Sequence, residues 1–289
     1  MTTYENALSP SDAAAAKAAS LLAGHPDYQI LRRLGNATQL VSVVPPNTPT
    51  RIAAVVDVET TGLNPDGDRI IELAIQQFRF TDAGRITKVG TPRIWREDPG
   101  FPLDPAIVKL TGLTDADLAG EAIDDDKVTG ILNCSDAIIA HNASFDGSFI
   151  EARLPRAAGL NWACTLNDIA WSDQGFGGRQ LGHLLMEAAY FFAGHRAAQD
   201  VLAGIHLLAH KLPTGLLLLA ALIARAEEPS VRIDASGAPF AHKDLLKARR
   251  YRYEPGARYW WTEVAKTGEG AELLWLQCCF RRSRPSFPR

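Results

Sequence analysis

The chain of 289 residues is 46% hydrophobic and 22% charged, which excludes a disordered or fibrous protein. Its net charge of -3 divides unevenly: residues 231–289 carry 12 Lys and Arg against 6 Asp and Glu, and residues 1–230 carry 18 against 27. The four cysteines lack C-x-x-C spacing, which excludes a typical zinc site, and no apolar run is long enough to cross a bilayer. We therefore expect a cytoplasmic protein without a membrane partner.

Residues 1–50 are predicted to form an N-terminal helical extension and a proline-rich connector. Helices are expected over residues 10–24 and 26–34, whereas "VVPPNTPT" at 43–50 fits neither a helix nor a central strand, because proline lacks a backbone donor. The main domain is therefore predicted to span 51–228. It opens with a strand over 52–59 and two further strands that turn at residues 82–84, which predicts an antiparallel meander.

Helices and strands alternate after this meander. The patterns predict helices in "DDDKVTGILNC", "SFDGSFIEARL" and "RQLGHLLMEAAYFF", short strands in "DAIIAH" and "WACTL", and a long helix from near Arg196 to Pro213. Strands that pair antiparallel first and then alternate with helices predict an α/β domain with a mixed sheet of about five strands flanked by helices.

Residues 229–289 are predicted to form a small basic, aromatic-rich C-terminal domain of α+β type. Its sequence predicts a helix, a hairpin that turns at Pro255-Gly256, and a final helix. Cations and rings are interleaved along it, at Arg249, Arg250, Tyr251, Arg252, Tyr253, Arg258, Tyr259, Trp260 and Trp261. Such residues could bind single-stranded nucleic acid, or alternate rings could form the core of the domain, and the sequence leaves both open. Our hypothesis is that this domain tethers substrate or a partner.

Two acids interrupt the apolar strand in "AAVVDVETTGL" at 53–63. Side chains alternate faces along a strand, so Asp57 and Glu59 project from the same face about 6 to 7 Å apart. Like charges this close raise each other's pKa unless a cation or donors compensate them. An edge strand with solvated acids is the alternative. The glycine-bearing turn at 60–63 offers backbone amides beside the pair and favours a divalent metal site.

Two later stretches supply acids that could complete this site. In "IIAHNASFDGSFI", Asp146 follows the C-terminal end of a strand, where open α/β sheets bind ligands, although the helix dipole alone could explain an acid there. In "GHRAAQDVLAG", His195 and Asp200 lie at the start of the long helix, with small residues beside Asp200. A surface or capping role is the alternative for His195.

Three motifs together carry a family resemblance. D-x-E-T-T-G at 57–62, H-N-A-x-F-D at 141–146 and H-R-A-x-x-D at 195–200 resemble the motifs of the DnaQ-like (DEDDh) 3′-5′ exonuclease superfamily, in the same order. The chain is similar over about residues 51–212 to the proofreading exonuclease of DNA polymerase III, its epsilon subunit. The resemblance implies a ribonuclease H-like fold and release of nucleotide monophosphates from nucleic acid.

The resemblance also implies a role for each matched residue. Two Mg²⁺ or Mn²⁺ ions would be bound by Asp57, Glu59, Asp146 and Asp200. His195 would be the general base, because Arg196 stands where a sister subgroup has tyrosine. Hard carboxylate oxygens suit such cations, which stabilise the charge that develops in phosphodiester hydrolysis. Substrate-binding roles are implied for Thr60, Thr61, Gly62, Leu63, His141, Asn142 and Phe145, with Leu63 as a wedge against the terminal base.

Three functions stay open at this point. The first is a 3′-5′ exonuclease on single-stranded or frayed DNA, used in repair or proofreading. The second is an exoribonuclease that trims RNA, and the third is a catalytically idle scaffold that binds nucleic acid. The five filled catalytic positions favour an enzyme over a scaffold. Residues 226–232 do not resemble a clamp-binding peptide, which favours a stand-alone exonuclease or a replicase-like paralogue and leaves a polymerase or clamp partner unproven.

Overall fold

The computed structural model describes residues 12–249, 251–254 and 256–280. Its strands are β1 (Arg32–Arg33), β2 (Arg51–Thr60), β3 (Ile70–Phe80), β4 (Ile86–Val89), β5 (Arg93–Arg96), β6 (Ala137–Ala140), β7 (Trp162–Cys164), β8 (Tyr190–Phe191), β9 (Ser230–Ala235), β10 (Arg252–Glu254) and β11 (Tyr259–Ala265). Its α-helices are α1 (Asp12–Leu22), α2 (Pro105–Thr111), α3 (Asp115–Leu118), α4 (Asp125–Asn133), α5 (Ala143–Arg153), α6 (Leu181–Glu187), α7 (Ala197–Leu208), α8 (Leu218–Glu227), α9 (Lys243–Ala248) and α10 (Glu269–Cys279). Short 3₁₀ helices lie at Ala37–Leu40, Pro155–Ala157, Trp171–Gln174, Phe240–His242 and Lys266–Gly268.

The chain divides into two compact units between Ile223 and Ala224, within α8. The boundary predicted at 228/229 lies five residues further along the chain. The first unit also includes the described part of the segment 1–50, which the sequence pattern predicts to be a separate extension. The division into three domains therefore stays a prediction.

A mixed sheet forms the centre of the first unit and confirms the predicted α/β fold class. Its order is β4-β3-β2-β6-β7, with β5 also paired to β3. The pairs of β3 with β2, β4 and β5 are antiparallel, whereas β2 with β6 and β6 with β7 are parallel. Strand β2 is therefore central, and it is the strand that carries the first predicted motif.

The sheet has six strands instead of the predicted five because one predicted strand is divided in two. Strands β4 and β5 both pair with β3, at 78–80 and 72–75 respectively. Between them Gly90 donates its N–H to the Gln77 carbonyl at 2.8 Å, and Pro92 has no N–H to donate. The interruption leaves both halves on the same edge of β3.

Helix α7 packs against β2 and β3 and brings a later motif to the sheet. Its buried residues include Val201, Ala203 and Ile205. A Cβ atom at Gly204 would lie 3.1 Å from a Val55 methyl group, so the missing side chain lets the helix approach β2 closely. The first turn of α7 is thereby placed beside the acids of β2.

Two of the predicted helices differ in the structure. The predicted helix over "RQLGHLLMEAAYFF" ends at Glu187, because Ala189 adopts a left-handed conformation (φ 68°) and the chain continues as β8. The predicted helix over 26–34 is wrong as well, because residues 32–33 form β1 and pair with β8. Helix α1 confirms the described part of the helix predicted over 10–24, whose first two residues lie outside the described residues.

The second unit is a three-stranded antiparallel sheet, ordered β10-β11-β9, with α9 and α10. Its core contains Ile233, Ala235, Leu246, Tyr251, Trp260, Leu276 and Phe280. Strands β10 and β11 are the predicted hairpin, although Pro255 of its turn and the neighbouring Arg250 lie outside the described residues. The make-up of this unit agrees with the predicted α+β class. Strand β9 was not predicted from the sequence.

Candidate active site

Three acids converge where α7 meets β2. Asp57, Glu59 and Asp200 each offer one carboxylate oxygen, and these oxygens all lie within 4.8 Å of one another. All three side chains are half-buried. The alternation of β2 places Asp57 and Glu59 on one face, and the packing of α7 brings in Asp200 from more than 140 residues further along the chain. The structure thus brings together three of the four predicted metal ligands.

Asp146, the fourth predicted ligand, lies beside this group. It is 3% exposed in the first turn of α5, and its Oδ1 accepts a hydrogen bond from the Val58 N–H at 3.1 Å. Val58 separates Asp57 from Glu59, so the Asp146 carboxylate is held directly against the strand that carries the pair. Its negative charge contributes to raising the pKa of Asp57.

The four acids share a poorly solvated, repulsive environment. Burial raises the pKa of Asp57 well above its ordinary value, and the charges of Asp146, Asp200 and Glu59 raise it further. Burial, followed by repulsion from Asp200, raises the pKa of Glu59 to about 7, and burial raises that of Asp146 to about 7. Burial also raises the pKa of Asp200. A hard divalent cation relieves this repulsion, and the all-carboxylate donor set fits Mg²⁺ or Mn²⁺.

A fifth acid lies outside the three motifs and was not predicted. It is Glu72 on β3, which lies directly opposite Glu59 in the sheet register. Its side chain is 2% exposed and lies 3.3 Å from Arg96 Nε and 3.6 Å from Arg196 Nη2. The Ala197 N–H in the first turn of α7 donates to its Oε2 at 3.2 Å. A glutamate inside the apolar run "IIELAI" was the signal that could have found it, but its partners depend on a strand register that the sequence does not show.

His195 and Asn142 both occupy the left-handed backbone region just before a helix. His195 has φ 64° and precedes α7, whereas Asn142 has φ 101° and caps α5. Such conformations are unfavourable for residues other than glycine and often occur at functional sites. His195 is exposed and close enough to Asp200 for its charge to lower the pKa of that carboxyl group, and Asp200 Oδ2 also accepts the Arg196 N–H at 3.2 Å.

The turn after β2 is fixed by its own hydrogen bonds. Thr60 Oγ1 donates to the Gly62 carbonyl at 2.5 Å, while the Asp68 carboxylate accepts the Thr61 hydroxyl at 3.2 Å and the Asn64 N–H at 2.8 Å. A Cβ atom at position 62 would lie 2.5 Å from that carboxylate, so any other residue there would displace Asp68 from these hydrogen bonds. It presents Leu63 with 84% of its surface exposed.

The other predicted substrate-binding residues lie around the start of α5. His141 Nδ1 is 2.8 Å from the Thr165 hydroxyl, and burial lowers the pKa of His141 to about 4, so the ring is neutral at neutral pH. Phe145 is partly buried, packs on the core and lies 4.9 Å from the Phe149 ring. Neutral and apolar groups here suit a sugar or base better than a phosphate.

Comparison with known protein families supports the motif analysis. The RNase_T model, described as "Exonuclease", matches residues 54–208, which is more than half of the chain. The chain belongs to the RNase_T exonuclease family. This membership confirms the DnaQ-like resemblance that the three motifs carry.

Two PolC-type DNA polymerases match about a third of this chain. It is 41% identical over 99 residues to the PolC-type DNA polymerase III of Listeria monocytogenes, a match that covers 34% of this chain and 6% of the polymerase. For the PolC-type enzyme of Streptococcus pyogenes serotype M1 the identity is 36% over 108 residues, with 35% and 7% covered. The chain therefore spans less than a tenth of the length of these relatives.

Two solved exonuclease structures are similar to part of the chain. Exonuclease X in complex with 5′-overhanging duplex DNA has 24% identity and a TM-score of 0.42, and the match covers 54% of this chain and 89% of that one. E. coli exonuclease I in complex with a dT13 oligonucleotide has 18% identity and a TM-score of 0.45, with 55% and 40% covered.

The aromatic residues of the second unit divide between its core and its surface. Tyr251 and Trp260 are 3% and 2% exposed and belong to the core. The next ring along β11, Trp261, lies under the guanidinium groups of Arg232 and Arg252, whose carbons are 4.3 and 5.1 Å from its ring centre. Alternate rings thus form the core, as one interpretation of the sequence expects. In the described part of the chain, no helix has both the length and the apolar character to span a membrane.

Proposed function

We propose that this chain is a metal-dependent 3′-5′ exonuclease that hydrolyses phosphodiester bonds from the 3′ end of DNA, with single strands or frayed ends as substrate. The observation that carries the proposal is the convergence of Asp57, Glu59 and Asp200 within 4.8 Å, beside the buried Asp146. A cluster of carboxylates on the central strand β2 and on the helices α5 and α7 is suited to holding two divalent cations about 4 Å apart, the arrangement used for phosphodiester hydrolysis.

Each of the chain's own groups has a proposed task. Asp57, Glu59, Asp146 and Asp200 would hold two Mg²⁺ or Mn²⁺ ions, which when bound would neutralise negative charge on the phosphoryl group. His195 would accept a proton from the attacking water; its exposed side chain and its influence on the pKa of Asp200 support this role.

Substrate contacts are proposed for the two segments that flank the acids. The backbone of the turn at 60–63 would hold the terminal nucleotide, with the exposed Leu63 side chain against its base. His141, Asn142 and Phe145 would line the other side, where the neutral imidazole and the phenyl ring avoid repulsion and favour stacking. The product would be a nucleotide monophosphate.

DNA is the proposed substrate because the named relatives are DNA polymerases. A role in repair or proofreading is inferred from the same relationship, either as a stand-alone enzyme or with a polymerase partner. The second unit would tether the substrate, since it carries 13 Lys and Arg against 8 Asp and Glu whereas the chain as a whole is negative. No feature of the site selects RNA, so RNA trimming is an outcome that a cleavage experiment would reveal.

The test is cleavage of matched 3′-labelled and 5′-labelled single-stranded DNA and RNA in Mg²⁺, Mn²⁺ or EDTA. We expect metal-dependent, stepwise shortening of DNA from the 3′ end, and a loss of about 10²-fold or more in Asp57→Ala and His195→Ala. Asp82→Ala is the matched control, because Asp82 is an exposed acid in the hairpin after β3. Shortening of RNA alone would reassign the substrate, and intact binding without cleavage in any metal would contradict the catalytic proposal.

A further inference from the structure

A segment outside the matched family region is built into the fold and pairs with the strand that precedes His195. This segment, residues 32–42 and here called the N-terminal strap, contains β1 and the 3₁₀ helix Ala37–Leu40. Strand β1 pairs in parallel with β8, as the Arg32 N–H donates to the Ala189 carbonyl at 2.9 Å and the Leu34 N–H donates to the Phe191 carbonyl at 3.1 Å. Among the described strands, β8 has no other partner. The strap therefore supplies the pairing that makes β8 a strand.

A buried histidine joins the strap to α7. His206 is 5% exposed, and its Nε2 lies 2.8 Å from the Gly35 carbonyl, which can only accept, so Nε2 donates. Among the described residues its Nδ1 has no hydrogen-bond partner, and burial lowers the pKa of the ring, so the neutral Nε2–H form is the one present. The Tyr190 ring of β8 packs edge-on against His206 at 5.5 Å. Strap, β8 and α7 thus meet at one side chain.

The apolar residues of the strap complete this attachment. Leu34 is 9% exposed and Ala37 is 1% exposed, and the 3₁₀ helix of the strap packs on α7. At its end the Ser42 N–H donates to the Ile86 carbonyl of β4 at 2.7 Å. The strap is therefore held along its length by the first unit, and not only at β8.

The position of the strap matters because β8 leads directly into the loop that carries His195. Only three residues separate Phe191 from His195, whose left-handed backbone is unfavourable for a residue other than glycine and must be imposed by its surroundings. Downstream, Glu72 holds the Ala197 N–H at 3.2 Å. Upstream, the strap-bound β8 is the attachment that fixes the start of the loop. The loop that presents His195 is thus held at both ends.

We propose that the N-terminal strap is a positioning element for His195, acting through β8 and His206. The inference rests on the proposed role of His195 as the general base. The strap contacts β8, α7 and β4, whereas the proposed substrate contacts lie at 60–63 and 141–145. Loss of the strap contact should therefore lower kcat, because His195 is less often in place, and should leave KM nearly unchanged.

Substitution of His206 tests the contact with matched variants. His206→Leu replaces the donor to Gly35 by an apolar side chain of similar size. We expect kcat on single-stranded DNA to fall about tenfold and KM to stay within about twofold. This loss is a part of the rate factor of about 10²–10⁴ that a general base supplies. His206→Gln restores a donor at a similar reach and should recover most of the rate. The control His210→Leu makes the same change just beyond α7, where the ring contacts Phe176.

A double-mutant cycle separates positioning from general loss of structure. In the His195→Ala background, His206→Leu should leave the residual rate unchanged, because the strap has no base left to position. An additional tenfold loss in that background would overturn the proposal.

Hydrogen exchange gives a readout that does not depend on activity or metal. The backbone amides of 189–196 should exchange faster in His206→Leu than in wild type, and His206→Gln should restore their protection. Unchanged exchange in His206→Leu would overturn the strap proposal even if the enzyme is active. Faster exchange in His206→Leu, combined with a wild type that lacks nuclease activity, would instead overturn the proposed function and leave the attachment of the loop established.

Discussion

At the scale of single residues, the acid cluster dominates the chemistry of the site, and Glu59 makes this testable through pH. The pKa of Glu59 in the folded protein, about 7, lies above that of an unfolded glutamate, so the folded state binds its proton more tightly. The stability that goes with this proton is present at low pH and is lost as pH rises through about 7. We therefore expect Glu59→Gln to stabilise the metal-free protein by about 1 to 3 kcal/mol at pH 8 and to have little effect at pH 5. Urea unfolding in EDTA at both pH values measures the difference.

The comparison of variants is needed because other groups titrate in the same range. Burial lowers the pKa of His141 to about 4, so the free energy of unfolding rises with pH between about 4 and 6.5. Both proteins contain His141, so its contribution cancels in the difference between wild type and Glu59→Gln. Asp82→Asn, at an exposed turn, is the control without an effect. Equal effects of Glu59→Gln at pH 5 and pH 8 would show that Glu59 is not held in a repulsive environment.

Residue types and spacing made most of this cluster predictable. The period of a strand alone placed Asp57 and Glu59 on one face, and the two later motifs brought Asp146, His195 and Asp200 into consideration. Glu72 escaped because its role comes from lying opposite Glu59 on β3, and strand register is a tertiary property. The left-handed backbone of His195 is likewise invisible in its sequence.

At the scale of elements, the first turn of α7 is attached to the sheet through Glu72. Glu72→Ala would leave Arg96 and Arg196 without their shared carboxylate and the buried Ala197 N–H without an acceptor. Because both arginines are partly exposed and can be solvated, the main cost is the unpaired Ala197 N–H, and we expect a loss of about 1 to 3 kcal/mol in unfolding free energy. Chemical denaturation of the variant, beside the exposed control Glu121→Ala, measures it. A loss under about 1 kcal/mol would mean that other contacts hold the helix.

Elements whose pattern is local were predicted, and elements made by pairing were not. Strand β2 and helix α7 follow from hydrophobic periodicity and were expected near their observed bounds. Strand β8 continues a helical pattern in the sequence and becomes a strand only because β1 pairs with it. The same holds for β9, which is recognisable once β11 lies beside it. Local propensity yields to tertiary pairing in such short segments.

At the scale of the whole molecule, opposite charges separate between the two units. Residues 1–223 carry 17 Lys and Arg against 25 Asp and Glu, a balance of -8, whereas residues 224–289 carry 13 against 8, a balance of +5. The first unit holds the acid cluster, and the positive charge of the second would attract polyanions. If the second unit tethers substrate as proposed, this division would let an enzyme with a negative net charge retain a long nucleic acid.

Helix α9 offers a place to test this division. Lys243 and Lys247 are exposed on the same face of α9, and the Lys243 ammonium lies 5.6 Å from the centre of the Phe240 ring, which is 60% exposed.

Changing both lysines to alanine should weaken binding of a 30-nucleotide single strand and reduce the slope of log K against log salt by about 1.4, as expected for two lost phosphate contacts. Binding of a trinucleotide should change less, because so short a strand makes fewer phosphate contacts in all. Fluorescence anisotropy across a salt series measures both, and Lys17→Ala with Lys109→Ala in the first unit removes the same charge elsewhere. An equal loss in both double variants would mean that net charge alone governs affinity, and no loss in either would exclude the second unit as a tether.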